Sequence, residues 1–133
     1  MDTTERARKG EQLLREMLGP DQAEQIRQVW RETCPEFEAY VVEFLAGEVW
    51  LRPGLDRRVK SLATVAALAA LGRPLALELN IRFALGNGAS RLDIVETLLQ
   101  IAPYAGFPAA WEGLTLARKV FREADTATGE PLP

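Results

Sequence analysis

The sequence has no histidine and a single cysteine, Cys34. The lack of histidine excludes Ser-His-Asp and Cys-His nucleophile systems, and any zinc site that uses imidazole. One thiol cannot form an intramolecular disulfide, so an oxidising compartment is not indicated. A general acid or base in this chain must therefore be Glu, Asp, Lys, Tyr, Cys or water.

Long apolar runs, and basic runs or stripes with interleaved aromatic residues, are also missing. The longest apolar run, residues 62–71, is too short to cross a bilayer. Residues 1–17 are charged throughout and lack the apolar core of a signal peptide. The net charge is −3, and the basic residues are spread among acids. These features predict a cytoplasmic protein that binds neither nucleic acid nor a membrane.

Proline, glycine and capping residues divide the chain into helical segments, and no segment has the period-two alternation of a strand. We predict an all-α, single-domain bundle of about six to seven helices over residues 1–123, followed by a disordered tail over residues 124–133. Ser90, with Asp93 three residues later, resembles a capping box, and Gly72 a C-terminal cap. Thr3 or Thr4 is the predicted N-cap of the first helix. The other predicted helices begin near Asp21, after Cys34, at Asp56, at Pro74, after Ser90 and at Pro108, and the last one ends near Arg122.

The helix that opens at Asp56 is apolar nearly all round from Leu62 to Leu71, with Thr64 as the interruption. A helix that is hydrophobic on every side is buried on every side. Either this helix forms the centre of the core, or neighbouring subunits enclose it. The sequence is compatible with both alternatives.

Glu48 is a polar residue in an apolar position of the preceding helix, which we predict to end near Leu51. Val41, Phe44 and Leu45 precede it by seven, four and three residues, which places it on the apolar face. Burial of a lone carboxylate raises its pKa, and such a group can act as a general acid or base near neutral pH. Alternatively, Glu48 lies at the helix end and reaches an arginine or solvent.

The segment RPGLDRRVK, which follows that helix, carries four cations. They form either a solvated surface or a clamp for the carboxylate groups of a small acid, because guanidinium binds carboxylate through two parallel hydrogen bonds. The four cations are Arg52, Arg57, Arg58 and Lys60.

Asn80 lies in the apolar arc of its predicted helix, beside Leu77 and Ala84. A buried amide either binds a neighbouring backbone group or faces a pocket. Farther along, the segment YAGFPAAW contains aromatic residues that form either core or the wall of a pocket. These aromatic residues are Tyr104, Phe107 and Trp111. We interpret Cys34 as a structural or incidental thiol.

Four segments follow one another in a specific order: GEVWLRPGL, an apolar helix ending in ALGR, LELNIRFALGNG and YAGFP. Together they resemble the carboxymuconolactone decarboxylase family of the alkylhydroperoxidase D-like superfamily, over roughly residues 37–121. The resemblance implies an all-helical fold that assembles as a homotrimer or homohexamer. It also implies cofactor-free loss of CO₂ from a small unsaturated lactone acid in the metabolism of aromatic compounds.

The resemblance places the family's glutamate at Glu48, its histidine at Asn80 and its frequent cysteine at Ala105. We therefore expect Glu48 and Asn80 to be catalytic and to face one shared pocket. Substrate binding is expected from Arg52, Arg57, Arg58, Tyr104 and Trp111. The chain lacks the C-x-x-C pair and the histidine of the peroxidase branch, so thiol peroxidase activity is not expected. Because Asn cannot exchange a proton near neutral pH, two alternatives to the decarboxylase function stay open. One is isomerisation or cyclisation of another metabolite, and the other is a non-catalytic oligomeric ligand-binding protein.

Overall fold

The computed structural model describes residues 2–128, and every regular element within them is helical, which confirms the predicted all-α class. The chain divides into two compact units, one ending at Asp56 and the other beginning at Arg57. The elements are α1 (Thr3–Leu18), α2 (Pro20–Thr33), α3 (Pro35–Tyr40), a π-helix (Val41–Val49), α4 (Arg57–Leu71), α5 (Pro74–Gly86), α6 (Arg91–Ala105) and α7 (Phe107–Thr128).

In the first unit, α1 packs against α2 and against the π-helix. An ion cluster joins three helices of this unit. Arg27 on α2 donates to Glu11 on α1 at 3.1 Å and to Glu38 on α3 at 2.9 Å. The Arg27 and Glu38 side chains are largely buried, so each charge depends on the other for its solvation. The buried apolar side chains of the unit are Leu13, Leu14, Met17, Ala23, Val42, Ala46 and Trp50.

In the second unit, one hydrophobic core is shared by α4, α5, α6 and α7. Ser61 on α4 is fully buried and accepts a hydrogen bond from Nδ2 of Asn87, at the end of α5, at 2.9 Å. Arg91 forms an ion pair with Asp125, and its guanidinium carbon lies 5.0 Å from the ring centroid of Phe121. The core residues are Val65, Ala69, Leu77, Ile81, Ala84, Ala89, Ile94, Leu98, Ala117 and Val120.

The helix caps largely agree with those predicted from the capping residues and glycines of the sequence. Ser90 and Asp93 form the predicted capping box, and Gly72 after α4 has a φ of +70°. The predicted cap of α1 is wrong, because Asp2 rather than Thr3 occupies the N-cap position. The carboxylate of Asp2 accepts the backbone N–H of Glu5 at 2.8 Å.

The last helix is longer than predicted. α7 continues past Arg122 to Thr128, so the prediction of a disordered tail is wrong for residues 124–128. Residues 123–128 contain neither proline nor glycine, and nothing in them ends a helix that is already propagating. Residues 129–133, where the rest of the predicted tail lies, are outside the described residues.

Helix α4 is not buried on every side in the described chain. Its buried residues form a single stripe of Ser61, Val65 and Ala69, while Ala67 and Leu71 are exposed. The expectation of complete burial within the unit is therefore wrong, because α5, α6 and α7 cover one face of the helix. Within residues 2–128, no helix has the length and apolar character that a membrane span requires.

The helix predicted to end near Leu51 is present, but its second half is of a different type. After α3 the chain continues without a break as a π-helix, in which hydrogen bonds connect residues five apart. At its end, the N–H of Trp50 donates to the carbonyl of Leu45 at 3.0 Å. The wider turn changes which side chains share a face, so the α-helical wheel does not apply to Glu48.

Candidate active site

Glu48 lies near the end of the π-helix, and its side chain is exposed in the described chain. Phe44 and Leu45, which precede it, are exposed as well. The predicted burial of Glu48 is therefore wrong within the chain, because the apolar residues expected to bury it do not face the core. The buried side of the π-helix is formed by Val42, Ala46 and Gly47.

The three predicted binding arginines, Arg52, Arg57 and Arg58, are exposed. Arg58 forms two hydrogen bonds to Asp93: Nε donates to Oδ2 at 2.9 Å and Nη2 to Oδ1 at 2.7 Å. The Arg58 side chain, together with the backbone N–H of Ser90, holds the pKa of Asp93 far below its ordinary value. The Nε and Nη2 groups of Arg58 therefore connect α4 to α6.

Asn80 is partly buried on α5, and its Nδ2 donates to the carbonyl of Ala76 at 2.8 Å. Because a carbonyl oxygen can only accept, this contact identifies the nitrogen end of the amide. The amide thus binds a backbone group, as one of the two interpretations predicted. It retains a second N–H and the Oδ1 atom, for which the described residues offer no hydrogen-bond partner.

The helix that carries Asn80 is attached to α7 by an ion network. Glu78 accepts from Lys119 at 2.8 Å and from Arg82 at 3.0 Å, and Arg82 also donates to Glu123 at 2.7 Å. The hydrogen bonds from Lys119 and Arg82 lower the pKa of Glu78 despite its partial burial. Residues on both sides of Asn80 are thus fixed to α7, which limits rotation of α5 about its axis.

The aromatic residues near the α6–α7 turn lie at the surface. Tyr104 is 84% exposed and Trp111 is 74% exposed, so neither belongs to the core of the unit. Trp111 instead lines an apolar groove of about 350 Å³, and Tyr104 lies outside its lining. The groove is lined by Leu99, Ala102, Phe107, Pro108, Ala110, Trp111 and Leu114.

The predicted site residues are divided between the two units. Glu48 and Arg52 belong to the first, whereas Asn80, Arg57 and Arg58 belong to the second. That Glu48 and Asn80 face one shared pocket stays a prediction. Among residues 2–128, no three acidic or thiol side chains lie close enough together to hold a metal ion.

Two features near the predicted site were not found from the sequence. Asp93 was recognised as part of a cap, but its pairing with Arg58 joins residues 35 positions apart, and local patterns do not record such contacts. The π-helix carries no distinct sequence signal, because its residues also suit an α-helix. The one hint was Gly47, a glycine inside a predicted helix.

Comparison with known proteins identifies a family and several relatives. Residues 35–119 match the model of the carboxymuconolactone decarboxylase family. The chain is 32% identical to a 4-carboxymuconolactone decarboxylase of Acinetobacter baylyi over 127 residues, which cover 96% of this chain and 95% of the relative. It is 33% identical to the nitrosuccinic acid decarboxylase npaB of Metarhizium robertsii over 115 residues, 86% of this chain and 80% of the relative. An uncharacterized 15.0 kDa protein of Paracoccus denitrificans is 34% identical over 94 residues, 68% of this chain and 69% of that protein. The chain therefore belongs to the carboxymuconolactone decarboxylase family.

Proposed function

We propose that the protein is a cofactor-independent carboxy-lyase that removes CO₂ from a small carboxylic acid, with an unsaturated lactone acid as the first candidate. The observation that carries this proposal is the similarity to a 4-carboxymuconolactone decarboxylase along 96% of the chain. A second relative whose name also describes a decarboxylase supports the same reaction type with a different acid.

The acids named for the two relatives share the chemistry that this reaction needs. Carboxymuconolactone and nitrosuccinic acid each carry two carboxyl groups. Loss of CO₂ leaves an electron pair that spreads onto oxygen, as a dienolate in the lactone and as a nitronate in the nitro acid. We propose a substrate of this class: a dicarboxylic acid in which the carbon that loses CO₂ carries an electron-withdrawing group or is conjugated with one through a double bond.

In the proposed mechanism, the bond between the carboxylate carbon and its neighbour breaks, and CO₂ leaves. The electron pair moves onto the lactone or nitro oxygen, where the second N–H of Asn80 stabilises the negative charge. A preorganised donor of this kind contributes about 3 kcal/mol to the transition state. As general acid, the carboxyl group of Glu48 then transfers a proton to carbon and regains one from water.

The cations would hold the carboxylate groups of the substrate. Arg58 binds Asp93 through Nε and Nη2, which holds its guanidinium in place at the start of α4. Arg52 and Arg57 would supply the other positive charges, and Trp111 an apolar wall.

We further propose that the chain works as a homotrimer or homohexamer, in which a second copy encloses Glu48. Two observations support this. Glu48 lies among exposed apolar residues, and α4 exposes apolar residues that its own unit leaves uncovered. A carboxyl group needs such enclosure to hold its proton near neutral pH.

The proposed function is tested by incubating the purified protein with 4-carboxymuconolactone and, separately, with nitrosuccinate, and measuring release of CO₂. Turnover of one of these acids is expected, and Glu48→Gln should lower kcat by about 100-fold or more, because general acid catalysis contributes that much. Glu36→Gln makes the same change of charge at an exposed position on α3 and should leave kcat unchanged. Lack of turnover by the intact protein would reject both substrates. Full activity of Glu48→Gln would reject the role of this carboxyl group.

A further inference from the structure

The backbones of α1 and the π-helix touch each other at two glycines, Gly10 and Gly47. A Cβ atom on Gly10 would overlap the carbonyl oxygen of Val42, and would lie 2.9 Å from its carbon and 3.1 Å from the nitrogen of Gly47. A Cβ atom on Gly47 would in turn overlap the carbonyl oxygen of Arg6 on α1. Since backbone atoms cannot swing away as side chains can, only glycine fits on either side of this crossing.

The atoms that Gly10 approaches belong to one turn of the π-helix. In a π-helix the carbonyl of Val42 pairs with the N–H of Gly47, five residues later, and both groups lie next to Gly10. In an α-helix the N–H of Gly47 would bind the carbonyl of Glu43 instead. The bare backbone of α1 therefore lies against the wide turn that distinguishes the two types of helix.

Glu48 follows Gly47 directly, on the exposed side of the same turn. A change of this turn from π to α would rotate Glu48 about the helix axis relative to α1, because the two helices turn by different angles per residue. The direction of the Glu48 carboxyl group is thus linked to the contact at Gly10, on the opposite side of the π-helix.

We infer that Gly10 is a positioning residue for Glu48: its lack of a side chain lets α1 hold residues 42–47 in the π conformation that aims the carboxyl group. The catalytic part of this inference rests on the proposed function. The conformational part stands on the contacts between α1 and the π-helix alone.

The catalytic part is tested with Gly10→Ala, using whichever acid the intact protein decarboxylates. A misplacement of about 1 Å can cost on the order of 100-fold, so we expect a loss of kcat of that order with KM little changed. Gly113→Ala on α7 is the matched control. Its Cβ would meet a flexible side-chain atom, Leu98 Cδ2 at 2.6 Å, so it crowds a helix contact without touching backbone, and it should keep kcat.

The double variant Gly10→Ala with Glu48→Gln separates positioning from general damage. If Gly10 acts through Glu48, the double variant loses no more activity than Glu48→Gln alone, since residues that act as one unit are not additive. Losses that multiply would overturn the inference, as would a folded Gly10→Ala protein with unchanged kcat.

The conformational part is tested in the intact protein by the NMR scalar coupling that crosses the hydrogen bond between the Gly47 nitrogen and the Val42 carbonyl carbon. A coupling to Glu43 instead would overturn the inference, whether or not any acid is turned over. If Gly10→Ala fails to fold, Gly47→Ala is measured in its place. If both variants fail to fold while Gly113→Ala folds, the coupling in the intact protein decides. A coupling between Gly47 and Val42 then supports the inference that the glycine contact holds the π-helix, and its absence rejects that inference.

Discussion

The amide of Asn80 differs from imidazole in the one respect that matters most for proton transfer. Imidazole has an ordinary pKa of about 6.5 and so exchanges protons near neutral pH, whereas an amide does not titrate there. Asn80 can donate a hydrogen bond to a developing oxyanion, but it cannot shuttle a proton. Its bond to Ala76 leaves one N–H for that purpose. A decarboxylase with this residue must therefore take its proton from another group, and Glu48 is our candidate.

Asn80→His should consequently change how the rate depends on pH. We expect a new inflection in kcat between about pH 5 and 8, because imidazole titrates in that range. Added proton transfer should also raise turnover of the lactone acid, by up to about 100-fold. The measurement is kcat for CO₂ release across this pH range. Asn80→Gln keeps the amide and should show no new inflection. If Asn80→His has the same pH profile as the intact protein, a side chain at position 80 does not take part in proton transfer, and the prediction is wrong.

At the scale of elements, the ion pair between Arg58 and Asp93 fastens the first turn of α4 to the first turn of α6. The pKa of Asp93 lies below its ordinary value, so the folded state binds a proton less readily than the unfolded chain. By linkage, the ion pair stabilises the fold fully when the pH is above the pKa of Asp93 in the unfolded chain, about 3.9. This stabilisation is lost as the pH falls from there through the pKa of Asp93 in the folded state.

Arg58→Gln should therefore lower the melting temperature at pH 7, and the difference from the intact protein should shrink once the pH falls below about 3.9. Thermal unfolding followed by circular dichroism at a series of pH values measures this. Arg118→Gln removes an exposed arginine of α7 that has no ion pair among the described residues, and it should change the melting temperature little. A difference that stays constant down to strongly acid pH would show that the Asp93 carboxylate is not the partner responsible.

Elements whose ends are set by neighbouring residues could be predicted, and those set by packing could not. The capping box at Ser90 was recognised because its two partners lie three residues apart. The π-helix was missed because it goes together with the close contact between Gly10 and Gly47. This contact joins two helices that are far apart in the sequence. Glu48 was predicted to lie on a buried apolar face with Phe44 and Leu45, but both of these residues are exposed, and composition alone does not distinguish a core face from an apolar surface.

At the scale of the whole molecule, the exposed apolar residues bear on the chemistry proposed for Glu48. Phe44 is 57% exposed and precedes Glu48 by four residues in the π-helix. Within residues 2–128, this face is left open to water. If a second copy covers the face, it also shields the carboxyl group from bulk water. Assembly and activity should then depend on each other.

Light scattering on the purified protein should accordingly give a native mass of about three or six times the 14.7 kDa of one chain. Phe44→Glu places a charge on the apolar face and should lower both the native mass and kcat, because burial of an unpaired charge in an interface is costly. Val29→Glu is the matched control, since Val29 is also 57% exposed but lies on α2. It should keep mass and activity. A fully active protein with the mass of one chain would mean that Glu48 works without enclosure by a second copy.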